Sequence, residues 1–338
     1  MFKHHLQTII QRTDLTESQM AEIIEAIFAG DLTDAQIGAF MAALATKGET
    51  FEELAGAARA MRRNAVRIQT TAPKVVDTCG TGGDEAKTFN ISTTTAFVVA
   101  GGGVPVAKHG NRSVSSQCGS ADLLEALGVP LDLPPDVVEA AITQIGIGFL
   151  FAPVYHGAMK YAARARKEVG LRSIFNMLGP LTNPAGANCQ LIGVYAPELT
   201  EMFAAALRLL GARRAFVVHG HDGLDEITVC APTRVSELND GHIRTYDIYP
   251  EQFFGDTADP ADLSGGDPAE NATITRRVLE GKTGPRRNIV LINAAAALVA
   301  AGQAENLKDG IVIAEKSIDS GLAMKKLDDL IRFTRENR

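Results

Sequence analysis

The sequence has no tryptophan, 14 phenylalanines and 5 tyrosines among its 338 residues, so aromatic side chains cannot supply most of a core. Alanine, leucine, isoleucine and valine must fill it instead, and the hydrophobic share of 46% is enough for a large buried interior. The four cysteines lack CxxC spacing, which argues against a disulfide framework or a zinc site. We therefore expect reduced thiols at Cys79, Cys118, Cys189 and Cys230.

The sequence also lacks a long apolar run and an excess of positive charge. No stretch reaches the roughly 20 apolar residues that a transmembrane helix needs, and the first residues, MFKHHLQTIIQR, contain no apolar signal core. The apolar stretch at residues 288–301 predicts a buried helix. The formal net charge of −7 argues against a general nucleic-acid-binding surface. These features favour a cytoplasmic protein that binds neither membranes nor nucleic acid.

Residues 1–66 predict a small all-helical domain. Three polar pairs have the spacing of a capping box, in which two side chains satisfy free N–H groups at a helix start. These pairs are Thr16 with Gln19, Thr33 with Gln36, and Thr50 with Glu53. Gly30 and Gly48 fall where a helix end favours glycine.

From residue 74 onwards, short β-rich segments alternate with helical ones. The predicted strands are Lys74–Asp77, Val104–Ala107, Ile147–Phe151, Gln190–Tyr195 and Ala215–His219. The predicted helices between them are Thr93–Ala100, Ser120–Leu127, Asp136–Gln144 and Leu199–Leu210. This alternation indicates parallel strands joined by crossover helices. Thr233–Leu238 and Ile243–Ile248 flank an Asn-Asp-Gly turn, which indicates a hairpin and makes the sheet mixed.

The predicted fold class is therefore α/β, with a mixed, mostly parallel central sheet flanked by helices and a smaller all-helical N-terminal domain. We place the small domain at residues 1–66, joined by helices from about 156–186, and the large α/β domain at 74–338. Within 156–184 the stretch LGPLTNP is stiff and irregular, and such stretches are usually functional or cross between domains.

Residues 75–111 read VVDTCGTGGDEAKTFNISTTTAFVVAGGGVPVAKHGN and carry the strongest functional signal. Glycines at 80, 82 and 83 let backbone N–H groups turn inward, and Ser92 to Thr94 open an apolar run where a helix start offers free N–H donors. Lys108 and Arg112 add full positive charges. A turn followed by a helix cap would also explain the glycines alone, but the combination predicts a cradle for a phosphate ligand.

A second constellation is HGHDGLDE at residues 219–226. The adjacent carboxylates of Asp225 and Glu226 suit a hard cation such as Mg²⁺, which bridges to substrate phosphates. A charged surface turn is the plainer alternative. His219 and His221 also suggest zinc, but no further histidine or cysteine stands at ligand spacing.

Three arginines, Arg164, Arg166 and Arg172, follow His156 along the chain. An arginine turned inward could grip a carboxylate through two hydrogen bonds. The residues alone do not decide which of the three does so, and a solvated helix face explains at least two of them. His156 could cap or pack.

The motifs GTGGD, TFNIST, KHGNRSVSS, the arginine helix with LGPLTNP, and HGHDGLDE occur in one order, and together the chain resembles the anthranilate phosphoribosyltransferase family over nearly its whole length. The resemblance implies transfer of a 5-phosphoribosyl group from phosphoribosyl pyrophosphate to anthranilate, with release of pyrophosphate, in tryptophan biosynthesis. It also implies a homodimer, an active site in the cleft between the two domains, and Mg²⁺, with two ions expected.

The resemblance also implies the site residues. Those expected to contact phosphoribosyl pyrophosphate are Gly80, Gly83, Asp84, Thr88, Asn90, Ser92, Thr93, Lys108 and Ser120. Ser92, Asp225 and Glu226 would hold the metal. Asn111 and Arg166 would bind anthranilate, and Gly80 and His109 would line its path.

Catalysis by such a site would rest on positioning and charge stabilisation, with Lys108, Asp225 and Glu226 as the catalytic residues. Two rival assignments remain at this point. A pyrimidine nucleoside phosphorylase has a similar architecture but would bind free phosphate and need no metal-holding acid pair. A non-enzymatic nucleic-acid-binding relative is the second rival, and the acidic balance counts against it.

Overall fold

The computed structural model describes residues 1–84, 86–113 and 117–338. Within these residues seven strands form one sheet in the order β3-β2-β1-β4-β5-β6-β7. The strands are β1 (Val76–Thr78), β2 (Val106–Gly110), β3 (Ile147–Phe151), β4 (Cys189–Gly193), β5 (Arg214–Gly220), β6 (Thr233–Asn239) and β7 (His242–Ile248). Strands β1 to β5 pair in parallel, whereas β6 and β7 are antiparallel, which confirms the predicted mixed sheet.

Helices cover both faces of the sheet and make up the N-terminal region. The helices at the N-terminus are α1 (Phe2–Ile10), α2 (Glu17–Ala29), α3 (Asp34–Lys47) and α4 (Phe51–Arg63). Those between the first five strands are α5 (Ile91–Gly101), α6 (Ser120–Leu127), α7 (Pro135–Ile145), α8 (Ala152–Tyr155), α9 (Lys160–Val169) and α10 (Leu199–Leu209). The remainder are α11 (Glu251–Phe254), α12 (Pro268–Leu279), α13 (Pro285–Ala300), α14 (Leu307–Asp319) and α15 (Leu322–Glu336). Short 3₁₀ turns lie at Gly157–Met159, Ile174–Asn176, Gly179–Leu181 and Pro260–Leu263.

The predicted elements all appear, with small differences at their ends. Strand β3 and helix α6 have the predicted bounds. Strand β2 differs most, because it continues through Lys108 and His109, which are buried and pair with β3. The apolar pattern stops at Ala107, so a sequence-based strand ends too early where polar side chains enter a buried site.

The hairpin between β6 and β7 forms at the predicted turn. Asn239 pairs with His242, and the two residues between them, Asp240 and Gly241, have φ values of 45° and 86°. Positive φ at both central positions is typical of the two-residue turn that matches strand twist, and Asn-Asp-Gly sequences favour it.

The three predicted capping boxes are present at the starts of α2, α3 and α4. In the third, Glu53 is fully buried, accepts a hydrogen bond from the Leu15 backbone N–H at 2.9 Å and pairs with Lys47 at 3.0 Å. The Glu53 carboxylate therefore binds the backbone just before α2, completes the capping box of α4 and neutralises the buried Lys47 ammonium group.

Two large apolar clusters stabilise the chain. One joins the sheet to α5 and α13, and the other joins the N-terminal helices to α9, α10 and the opposite sheet face. Residues from α9 to Leu181 belong to the second cluster, which supports their predicted association with the small domain. The domain boundaries themselves stay a prediction.

In the part of the chain that the structure describes, no helix is both long enough and apolar enough to cross a membrane.

The strand order has a switch point at β1. Its two neighbours, β2 and β4, lie on opposite sides, so the connections that follow β1 and β4 lead away from each other. In open α/β sheets, ligands bind at the carboxyl ends of strands at such a switch point. The segments after β1 and after β4 therefore mark the expected place of a ligand.

Candidate functional site

The Gly loop, residues 80–84, starts directly after β1 and lies across the end of β4. The Thr81 N–H donates to the Gly193 carbonyl at 2.9 Å, and the Gly82 N–H donates to Asp225 Oδ2 at 2.9 Å. Gly82 and Gly83 have φ values of 65° and 81°, which favour glycine. The loop is thus fixed at its first half by β4 and by the acid pair, Asp225-Glu226.

The Lys108 side chain contacts the end of β1, just before the Gly loop, and the start of α5. Only 3% of the residue is exposed, and its Nζ donates to the Thr78 carbonyl and lies 3.4 Å from Ser92 Oγ. Thr78 Oγ1 in turn donates to the Ser92 carbonyl at 2.9 Å. A buried ammonium group next to a helix start makes this corner strongly favourable for an anion.

The acid pair lies close to Lys108 and to the start of α5. Burial raises the pKa of Glu226 to about 8, while nearby Lys108 and a hydrogen bond from the Ser92 backbone N–H act in the opposite direction. Burial also raises the pKa of Asp225 well above its usual range, and the negative charges of Asp84 and Glu226 raise it further. Three carboxylates therefore share one site with Lys108.

This donor set fits a hard divalent cation. Carboxylate oxygens and the Ser92 hydroxyl are the ligands that Mg²⁺ prefers, and a cation would offset the burial and the repulsion that raise the two pKa values. The structure thus brings together Gly80, Asp84, Ser92, Lys108 and the acid pair. The alternative of a charged surface turn does not fit, since Glu226 is only 9% exposed.

A second group of metal-ligand types lies under the Gly loop. One ligand atom each of Asp77, Cys79 and His109 falls within 4.8 Å of the others. The oxygens of Asp77, however, already accept hydrogen bonds from Asn183 Nδ2 at 2.7 Å and from the His109 N–H at 3.1 Å. Burial also raises the pKa of the Cys79 thiol, so it stays protonated. These donors suit Mg²⁺ poorly.

Two buried histidines, His109 and His156, lie together at this group of Asp77, Cys79 and His109. The His109 and His156 rings meet edge to face with centroids 5.1 Å apart. Burial lowers the pKa of His109 to about 3 and that of His156 to about 4, so both are neutral at pH 7. His109 Nδ1 lies 3.0 Å from the Gly179 carbonyl, which fixes the ring against the LGPLTNP stretch.

The three arginines have different surroundings. Arg164 is exposed and pairs with Glu168 at 2.8 Å, as the solvated-face alternative predicts. Arg166 is half-buried, with its guanidinium 5.6 Å from the Phe175 ring centroid, and burial lowers its pKa. Arg172 lies 4.5 Å from the Tyr195 ring centroid and donates to the Gly83 carbonyl. Sequence reasoning did not single out this contact between Arg172 and the Gly loop.

The other predicted residues surround the start of α5 and α6. Asn90 donates from Nδ2 to the Cys118 carbonyl at 3.0 Å, and Thr88 forms an isolated bridge with Ser264. Ser120 Oγ donates to the Asn111 carbonyl at 3.2 Å, on the exposed side of the site.

Thr93 is buried, and its Oγ1 has no hydrogen-bond partner within the described ranges. Thr93 is the third residue of α5, so its backbone N–H has no partner within the helix and could bind a ligand. Residues 114–116 of the KHGNRSVSS motif lie outside the described residues.

The histidines of the HGHDGLDE motif do not converge on one point. His219 Nδ1 lies 2.7 Å from the Val194 carbonyl, and His221 Nε2 lies 3.5 Å from Asp247. The two rings thus contact different elements, which disfavours the zinc alternative. Among the described residues no disulfide joins the cysteines.

Sequence reasoning missed Gly193 and Asn293, which contact the acid-pair segment from two sides. A Cβ on Gly193 would overlap the Asp225 carbonyl oxygen. Asn293 is fully buried in α13 and bonds to the backbone of Ile227. An asparagine inside the apolar run 288–301 was the available signal, because a buried amide needs partners.

The comparisons with known proteins agree with this geometry. The family described as "Glycosyl transferase family, a/b domain" matches residues 72–324, and "Glycosyl transferase family, helical bundle domain" matches residues 3–65. An anthranilate phosphoribosyltransferase of Syntrophobacter fumaroxidans is 71% identical over 337 residues, covering 100% of both chains. The chain belongs to the anthranilate phosphoribosyltransferase family.

Solved structures of anthranilate phosphoribosyltransferases have the same fold. The enzyme of Thermus thermophilus superposes with a TM-score of 0.93 at 43% identity, covering 98% of this chain and 99% of that one. The Saccharomyces cerevisiae anthranilate phosphoribosyltransferase in complex with PRPP and Mg has a TM-score of 0.90 at 28% identity, covering 99% and 98%. Membership in this family favours a transferase over both rival assignments.

Proposed function

We propose that the protein transfers the 5-phosphoribosyl group of phosphoribosyl pyrophosphate to the amine of anthranilate, giving N-(5-phosphoribosyl)anthranilate and pyrophosphate, in tryptophan biosynthesis. The observation that carries this proposal is the meeting of the Gly loop, Lys108 and the acid pair at the switch point of the sheet. A relative whose structure is in complex with PRPP and Mg supports both the substrate and the metal.

The diphosphate of the substrate would lie between the Gly loop and the start of α5. Backbone N–H groups of Gly83 and Thr93 and the side chains of Asp84, Thr88 and Asn90 would bind its oxygens, with Ser120 at the far side. Lys108 would carry the compensating charge. The buried ammonium and the α5 N-terminus support this orientation, because both favour negative charge.

We assign the metal to Ser92, Asp225 and Glu226, and we propose two ions. Bound Mg²⁺ would supply positive charge to the leaving pyrophosphate. The side chains of the protein supply the remaining contacts. The acid pair orients the charged ligand, and Lys108 stabilises the negative charge that develops on the departing oxygen.

Anthranilate would approach past Gly80 and the neutral ring of His109, with Arg166 and Asn111 binding its carboxylate. The half-buried guanidinium of Arg166 supports this role, because a partly desolvated cation binds a carboxylate more strongly than an exposed one. The aromatic amine is unprotonated at neutral pH. Its nitrogen bonds to C1 as the C1–O bond to pyrophosphate breaks, and one N–H proton is released, so positioning matters more than a strong base.

We further propose a cytoplasmic homodimer in which each chain has the two predicted domains and the active site lies in the cleft between them. The shared apolar cluster of the N-terminal helices with α9 supports a small domain built from both segments. The family matches at residues 3–65 and 72–324 agree with a boundary between residues 65 and 72.

A direct assay tests the function. The protein is mixed with anthranilate, phosphoribosyl pyrophosphate and Mg²⁺, and the loss of anthranilate fluorescence is followed. We expect a loss that requires all three components. Phosphate-dependent cleavage of thymidine without turnover of anthranilate would instead support the phosphorylase, and a salt-sensitive gel shift without turnover would support the nucleic-acid binder.

A further inference from the structure

The acid pair lies on a segment that has no regular secondary structure. Residues 221–232 connect β5 to β6 without a helix or strand. Near its beginning, the Gly220 N–H donates to the Leu224 carbonyl at 2.8 Å. Ladder hydrogen bonds therefore do not hold Asp225 and Glu226, so other contacts must fix their positions.

Asn293 supplies such contacts from the core. It lies in the middle of α13 and is completely buried. Its Oδ1 accepts from the Ile227 N–H at 3.0 Å, and its Nδ2 donates to the Ile227 carbonyl at 2.8 Å and to the Ile289 carbonyl at 2.8 Å. One side-chain amide thus binds both backbone groups of the residue that follows Glu226.

Gly193, at the end of β4, supplies a second contact. The end of β4 packs so closely on the acid-pair segment that a Cβ at this position would overlap the Asp225 carbonyl oxygen. The Gly193 carbonyl also accepts the Thr81 N–H at 2.9 Å, so the same residue contacts the Gly loop. Asp225 and Ile227 are therefore held by two different elements, β4 and α13, with Glu226 between them in the sequence.

Such a restraint matters because two buried carboxyl groups lie side by side next to a third, Asp84, and burial disfavours their charged forms. An unrestrained loop would lower its energy by moving these groups apart into solvent. Loss of a group that holds a metal ligand in place typically weakens metal binding by about 10–100-fold.

We propose that Asn293, together with Gly193, is a positioning residue that holds Asp225 and Glu226 in the arrangement needed to receive the metal–diphosphate ligand. This inference rests on the proposed function, since it takes the acid pair to be the metal-holding group.

The test measures binding of Mn²⁺, as a paramagnetic substitute for Mg²⁺, to the full chain with phosphoribosyl pyrophosphate present. The variants are Asn293→Leu, which removes the amide at similar volume, and Asn293→Gln, which keeps an amide but displaces it. Ser236→Ala is the matched control, because Ser236 is equally buried and bonds to Thr245 at 3.0 Å in the hairpin away from the site. Gly193→Ala tests the contact with β4.

We expect Asn293→Leu to weaken Mn²⁺ binding by about 10–100-fold, with a smaller loss in Asn293→Gln and none in Ser236→Ala. In the same variants KM for phosphoribosyl pyrophosphate should rise while KM for anthranilate stays unchanged, a split that general loss of stability would not produce. If Asn293→Leu does not fold, Asn293→Gln and Gly193→Ala decide the question.

Wild-type Mn²⁺ affinity in folded Asn293 and Gly193 variants would overturn the positioning role and leave the proposed function intact. Failure of the wild-type protein itself to bind Mn²⁺ with phosphoribosyl pyrophosphate would overturn the proposed function, and the positioning role with it.

Discussion

Lys108 is the residue on which most of the site's charge balance depends. It is buried, contacts the Thr78 carbonyl and Ser92 Oγ, and opposes the rise in the pKa of Glu226. The KHGN motif and its place at a strand end predicted a role for it. The contacts that surround it could not be predicted, because they join residues 16 and 30 positions away along the chain.

Replacing Lys108 with alanine should therefore reduce turnover strongly. We expect kcat/KM to fall by about 10²–10³, the usual cost of losing one charge contact to a developing anion. Steady-state kinetics of anthranilate consumption measures the effect. Lys316→Ala, on the exposed side of α14, serves as a control and should leave kcat/KM unchanged. Near-normal activity in Lys108→Ala would contradict the role of Lys108 in stabilising the leaving pyrophosphate.

Asp225→Asn should weaken metal binding without lowering the stability of the fold. The change removes one negative charge but keeps an oxygen that can accept the Gly82 N–H. The Mg²⁺ concentration for half-maximal activity should rise by about 10-fold or more, while thermal stability without metal should not fall. A lower unfolding temperature with unchanged Mg²⁺ dependence would assign Asp225 a structural role instead.

His156 should make the folded protein sensitive to acid. Burial lowers its pKa from 6.5 to about 4, so between these values the unfolded chain binds a proton that the folded chain does not. The free energy of unfolding should therefore fall as the pH drops from 6.5 towards 4, by at most about 1.4 kcal/mol per pH unit from this one group. Asp77, whose pKa burial raises to about 6, acts in the opposite direction in the same range.

Urea denaturation at several pH values tests this effect. Asp77 and the buried His109 keep their own contributions in His156→Gln, so the test compares slopes: between pH 6.5 and 4, this variant should lose less free energy of unfolding than wild type, whereas His242→Gln, which changes an exposed histidine in the hairpin, should lose as much as wild type. Parallel slopes for wild type and His156→Gln would mean that His156 titrates normally in the fold.

At the scale of elements, local sequence signals were the most reliable. Capping boxes and the Asn-Asp-Gly turn depend on side chains within three residues of each other, so their spacing predicts their structure. Strand ends were less predictable where polar residues such as Lys108 and His109 continue a buried strand. The positions of Gly193 and Asn293 depend on packing between distant elements, which local patterns do not encode.

The capping box of α3 gives a test at this scale. The Thr33 N–H donates to Gln36 Oε1 at 2.9 Å, and the Gln36 N–H donates to Thr33 Oγ1 at 3.3 Å. Thr33→Ala should lower the free energy of unfolding by about 1 kcal/mol, measured by urea denaturation. Thr46→Ala, in the same helix, changes an exposed threonine whose hydroxyl donates to the Ala42 carbonyl one turn earlier, and it should have little effect. Equal losses in both variants would contradict a specific capping contribution.

For the whole molecule, the site exists because the sheet reverses its strand order at β1. This topology places the Gly loop, the end of β4 and the acid-pair segment at one edge, although the Gly loop lies more than 100 residues from the other two in sequence. The sequence pattern predicted a mixed sheet and the participating motifs. It could not predict the strand order, because strand order depends on how the helices pack on both faces.

The most direct measurement locates the metal. Crystals grown with Mn²⁺ and phosphoribosyl pyrophosphate would show each manganese by anomalous scattering. We predict manganese between the acid pair and Ser92, next to the diphosphate. Manganese at Asp77, Cys79 and His109 instead, or a diphosphate bound away from the Gly loop, would contradict the account.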